Sequence, residues 1–155
     1  MSAHYDDKLE VLRKAIKVAA GNPFSIEQEL EDLLMEDGAD VTADLLLSLS
    51  DDAHSGAMYA LVHAAEASDE APYRTYISTV LSAFPQLSKT APNWALMVLR
   101  RIMNADDSFC ELLIQLRDAP ASVKASVRKI SEENNAISPD YMPDRLKGQV
   151  AEAAS

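Results

Sequence analysis

Apolar residues recur at intervals of three and four along most of this chain, and that period predicts helices from end to end. Leu9, Leu12, Ile16 and Ala19 mark a first helix over residues 5 to 20, which Gly21, Asn22 and Pro23 stop. Ser25 with Gln28 reads as a capping box, and Ile26, Leu30, Leu33 and Leu34 then form one stripe up to Gly38. A third helix, Thr42 to Leu49, carries Leu45, Leu46 and Leu49, and a fourth, Ser55 to Ala67, turns Met58, Leu61, Val62 and Ala65 inward. Pro72 suits the first turn of a fifth helix bearing Tyr73, Tyr76, Ile77, Val80, Leu81 and Phe84, and Pro85 ends it. Pro92 opens a sixth with Trp94, Met97, Val98, Leu99 and Ile102, and Asp107 caps a seventh with Phe109, Leu112, Leu113 and Leu116. Val123, Val127 and Ile130 define an eighth.

This pattern predicts an all-α protein, an array of about eight short antiparallel helices that suits a solenoid-like stack better than a four-helix bundle. It places one helical domain at residues 1–133 and a mobile C-terminal tail at 134–155, where two prolines interrupt a weakly apolar end. Composition agrees: apolar residues are 48% and charged residues 25%, enough for a core in a chain of 155 residues. No apolar run approaches the roughly 20 residues of a membrane helix, and the acidic start has no signal-like apolar region, so a cytoplasmic protein with no membrane partner is expected. Cys110, the only cysteine, excludes an internal disulfide and reads as a packed thiol beside Phe109, Leu112 and Leu113.

Charge changes the picture. The net charge is −11, yet residues 1–70 hold 16 acids and 4 bases, while residues 71–155 hold 9 acids and 10 bases. Seven acids, Glu27, Glu29, Glu31, Asp32, Glu36, Asp37 and Asp40, fall within fourteen positions, and no Lys or Arg stands between Lys17 and Arg74. Glu29, Asp32 and Glu36 share one side of the second helix, where like charges at such spacing cost roughly 0.2–0.5 kcal/mol per pair. Solubility alone is met by fewer acids mixed with bases. The block therefore reads as a surface shaped for a basic partner, the alternative being a merely solvated face, with Glu29, Asp32, Glu36, Asp37, Asp40, Asp44, Asp51, Asp52, Glu66, Asp69 and Glu70 as its candidate contacts. Direct binding of nucleic acid is disfavoured, because phosphate neutralisation requires a basic surface.

Catalytic chemistry finds little to work with. His63 and Glu66 form a single H-x-x-E pair, whereas a carboxylate-bridged dimetal bundle needs two such sets and two further Glu, so no metal is expected. No nucleophile elbow, glycine-rich phosphate loop or CxxC is present, and no cofactor or enzymatic activity is expected. Trp94, Tyr73 and Tyr76 stand among aliphatics at helical spacing and read as core.

YALVHAAE at 59–66, LSAFPQL at 81–87 and APNWALMVLRRIMN at 91–104 resemble the bacterial immunity protein 30 family of polymorphic toxin systems. The resemblance runs from Met58 to Asn104, and its most specific residues are Pro92, Trp94, Ala95, Arg101, Ile102 and Asn104. It implies a small cytoplasmic helical protein without a reaction of its own, which binds and blocks a cognate toxin domain delivered by contact-dependent growth inhibition or a related route. Toxins that attack nucleic acid carry a basic cleft, and an acidic immunity surface would occlude it. Nanomolar affinity, about −12 kcal/mol, further demands apolar or aromatic anchors that the sequence does not identify. The alternative is an acidic helical adaptor for an endogenous basic partner.

Overall fold

The computed structural model describes residues 3–18, 26–36, 40–137 and 144–155, and among them the chain is all-α. It divides into two compact units, Met1–Ser68 and Asp69–Ser155.

In the first unit, α1 (Ala3–Val18) packs on α2 (Glu27–Leu34), and α3 (Val41–Leu47) packs on α4 (Ser55–Glu66). Each helix forms because its apolar residues fall on one side. Tyr5, Leu9, Leu12 and Ile16 are the buried face of α1, and Ile26, Leu30 and Leu33 are that of α2. Leu45, Leu46 and Leu49, and Met58, Leu61 and Val62 of α4, are all buried, each side chain contributing about 1.5–3 kcal/mol by leaving water. Leu34, expected in the apolar stripe, is instead 46% exposed, because it stands about 100° round the helix from Leu33. Ala19, Ser25 of the capping box, the Gly21–Asn22–Pro23 stop and Gly38 lie outside the described residues. The α2 helix begins after Ile26, whose side chain makes no capping bond.

In the second unit, α5 (Arg74–Thr90) packs against α6 (Pro92–Met103), α7 (Asp106–Arg117) and α8 (Ala121–Ile137), and α9 (Asp144–Ala153) packs on α7 and α8. A solenoid pairs nearest neighbours alone; here α5 is a hub that also holds α8. The segment expected to be a tail carries α9, whose Val150 and the adjoining Ala153 and Ala154 are buried. Lys124 Nζ reaches the Ser155 carbonyl at 3.4 Å, and the Arg128 guanidinium donates to the Ala154 carbonyl.

Three local expectations are corrected by packing. Pro85 lies inside α5 rather than ending it. It removes one backbone donor at a cost of about 3 kcal/mol, but Phe84 and Leu87 on either side are both fully buried and offset that cost by continuing the apolar face. Pro72 stands before the helix, which starts after Tyr73 in a left-handed conformation at φ 63°. Asp107 does not cap α7: the capping position is Ala105, and Asp106 and Asp107 occupy the first turn, where the helix dipole favours them. Ser108 Oγ ties that end down through the carbonyls of Ile102 (2.5 Å) and Ala105 (3.2 Å).

Cys110 is exposed, not packed. The buried face of α7 runs through Phe109, Leu112 and Leu116, and Cys110 points away from it. Trp94 and Tyr76 are core residues as expected, and Tyr73 is half-buried, edge-on to Tyr76 with ring centroids 6.4 Å apart.

Candidate functional site

The acids of the first unit do not form one uniform solvated face; several are engaged. Lys8 of α1 approaches the end of α2, where its Nζ lies 2.5 Å from Glu36 Oε1 and 3.3 Å from the Asp32 carbonyl. His4 Nε2 stands 3.8 Å from the same Glu36 oxygen. The sequence shows no base between Lys17 and Arg74, but the α1–α2 packing supplies one from 28 residues upstream. Asp32 Oδ1 accepts from Gln28 Nε2 at 2.9 Å, and Glu29 is half-buried with Oε2 turned inward. The Glu29–Asp32–Glu36 stripe is thus three different environments.

Asp40 caps α3 by accepting from the Ala43 amide at 3.5 Å, and Asp44 Oδ2 accepts from the buried Tyr5 hydroxyl at 2.7 Å. Burial, reinforced by that carboxylate, pushes the Tyr5 hydroxyl well above the ordinary tyrosine range. Asp52 is exposed, Asp51 is half-buried in the turn after α3, and Glu66 Oε2 pairs with His63 Nδ1 at 3.8 Å. Asp37 lies outside the described residues.

In the second unit, Asp69 is a capping carboxylate: Oδ2 accepts from the Tyr76 amide at 3.0 Å and Oδ1 from the Glu70 amide at 2.8 Å. It compensates the exposed donors of α5 where left-handed Tyr73 cannot do so. Glu70 itself is exposed, and its carbonyl accepts from the Tyr73 amide at 2.7 Å. Sequence reasoning missed buried Glu111, whose Oε2 meets Arg74 Nε at 3.4 Å and whose Oε1 accepts from Gln115 Nε2 at 2.8 Å. Nothing local in the sequence marks its burial, because its charged partner lies 37 positions away on another helix.

These bonds shift two acids. The Lys8 hydrogen bond holds the Glu36 carboxyl below the usual glutamate range, and the Tyr76 and Glu70 amides hold Asp69 below the usual aspartate range. A depressed folded-state value means stability that is present above the ordinary values of 4.5 and 3.8 and is lost as pH falls through the folded ones. Melting curves across the acid range test this. Lys8→Met is expected to lower the melting point near neutrality and to flatten its fall below pH 4.5, because the hydrogen bond that chiefly holds the Glu36 carboxyl down is then lost and, among the described residues, His4 alone remains beside it. An acid limb with the slope of the unaltered chain would show that Lys8 does not set the Glu36 titration.

The first unit also presents exposed carboxylates beside an apolar opening. A cleft of about 430 Å³ lies between α2 and α4, floored by Leu30, Leu34, Tyr59 and Ala60 and edged by Glu27 and Glu31. Among the described residues no group of His, Cys, Asp and Glu could hold a metal ion, and no helix is long and apolar enough to cross a membrane.

Among the described residues the fold is all-α, and its first unit exposes acidic side chains beside partly apolar surface. The chain belongs to the Immunity protein 30 family, whose model matches residues 20–112, more than half of its length. That span covers α2 to α6 and half of α7, and it encloses the 58–104 segment whose sequence carries the resemblance. No match to the chain was found among curated proteins or solved structures.

Proposed function

We propose that this immunity protein binds a cognate basic toxin domain of the nuclease type and neutralises it by occlusion, in the cytoplasm of the cell that makes both. It performs no reaction of its own. Family membership supports the immunity role, and the observation that carries the basic partner is the imbalance of the first 70 residues, 16 acids against 4 bases. A toxin that cleaves nucleic acid must hold phosphates in a positive cleft. Opposite fields on the two proteins raise association rates to about 10⁸–10⁹ M⁻¹s⁻¹ at low salt, which suits an inhibitor that must act before damage accumulates. Delivery of that toxin by contact-dependent growth inhibition fits the same reading.

On this reading the acids differ in how available they are for the task. Glu36, Asp40, Asp44 and Asp69 hold local geometry, whereas Asp32, Asp52 and Glu70 present exposed carboxylates. The test is co-expression with the toxin domain that, on this reading, is encoded beside this chain. Cell survival, a stable complex on gel filtration and loss of nucleic acid cleavage in that complex are expected together. Survival without a complex would sink inhibition by binding, and a toxin with no activity on nucleic acid would sink the nuclease assignment.

A further inference from the structure

The cleft between α2 and α4 combines two features that the acidic surface otherwise keeps apart. Its floor is apolar: Leu30 belongs to the core, while Leu34 is 46% exposed and Tyr59 and Ala60 are half-exposed on the facing helix. Its edge is acidic. Glu27 and Glu31 stand four residues apart on α2 and so project from the same side of the helix. Neither has an ion pair among the described residues, and α2 itself contains no base. His63 closes the opposite side, its ring 6.4 Å from that of Tyr59 and its Nδ1 turned to Glu66 at 3.8 Å.

We propose that this cleft receives one long cationic side chain, an arginine or a lysine, presented by the basic toxin partner. The inference rests on the function proposed above and names the contact through which it acts. An apolar floor leading to two carboxylates matches a side chain whose methylene stem packs on the apolar part while its charged end reaches the rim. Arginine fits best, since its planar fork pairs with carboxylates and stacks on an aromatic ring such as Tyr59. A volume near 430 Å³ accommodates that side chain. The charge of the first 70 residues argues for a cation as occupant over an apolar or acidic side chain. The cleft also supplies what charge alone lacks, an aromatic and aliphatic surface that an occupying side chain would desolvate on binding, the setting in which binding energy concentrates.

The experiment measures rates and equilibrium constants for the purified toxin domain encoded beside this chain, using three variants. Glu27→Gln with Glu31→Gln removes the charge of the rim, and Ala60→Leu fills the floor. Asp6→Asn with Asp7→Asn removes the same charge from exposed positions of α1 outside the cleft. The first two are expected to raise Kd at least about 30-fold, chiefly by faster dissociation, as loss of a desolvated charge pair does. The Asp6/Asp7 variant should change Kd by less than about threefold and act on association alone, as a rim charge does.

Dissociation unchanged in the Glu27/Glu31 variant would overturn the proposal, even if Ala60→Leu weakens binding, because the occupant would then be apolar. Both cleft variants binding like the unaltered chain would remove the cleft from the interface and leave the immunity function standing. Failure of the unaltered chain to bind the toxin at all would overturn the function and this contact with it. Circular dichroism confirms that each variant is folded; should Ala60→Leu unfold, the Glu27/Glu31 pair decides alone.

Discussion

Phe84→Ala is expected to destabilise the protein by about 3–5 kcal/mol, the cost of emptying a fully buried aromatic site. Phe84 is 0% exposed at the centre of α5, the helix on which α6, α7 and α8 all pack, so no single neighbour can collapse into the space. Against a total of about 5–15 kcal/mol for a typical domain, such a loss threatens the folded state. Thermal unfolding should fall by roughly 10 °C, given about 2–4 °C per kcal/mol at this chain length. Lys89→Ala, at an exposed position of the same helix, should stay within about 0.5 kcal/mol. Equal melting points for the two variants would mean that α5 is not the hub of its unit.

Reversal to lysine of Asp6, Asp7, Asp32 and Asp52 together is expected to slow toxin association about 100-fold at low salt, within the range that electrostatic steering commands. All four are exposed acids of the first unit, and the change moves the net charge from −11 by eight units. The salt dependence of association should flatten as well, because screening then has less attraction to remove. Glu132→Lys with Glu133→Lys, in the second unit, should do much less, since residues 71–155 carry nearly balanced charge. Stopped-flow mixing at two ionic strengths measures both. Equal slowing per reversed charge in the two sets would mean that total charge, not the acidity of the first unit, guides the encounter.

The helices and their buried faces were legible because a 3.6-residue period is written locally, in residues three and four apart. Leu9, Leu12 and Ile16, or Val123, Val127 and Ile130, declare an inward side without reference to any other element. Pro92 at the start of α6 was equally local, since a fixed φ and a missing amide are harmless there. Pro85 was not: the same chemistry predicts a stop, and only the burial of Leu87 beyond it explains why α5 continues.

The sequence by itself determined an all-α protein, the inward residues of nearly every helix, and the concentration of acid in its first 70 residues. Only the tertiary structure decided what each acid does. Lys8 answers Glu36, Tyr5 is bonded to Asp44, and Arg74 meets Glu111, partnerships that span 28 to 39 positions and arise because packed helices bring remote side chains within hydrogen-bonding reach. The same packing opened the cleft between α2 and α4, since Leu34 and Tyr59 become neighbours only when their helices do. Local period sets which way a side chain faces along its own helix, whereas the partner it finds there depends on which other helix folds against it.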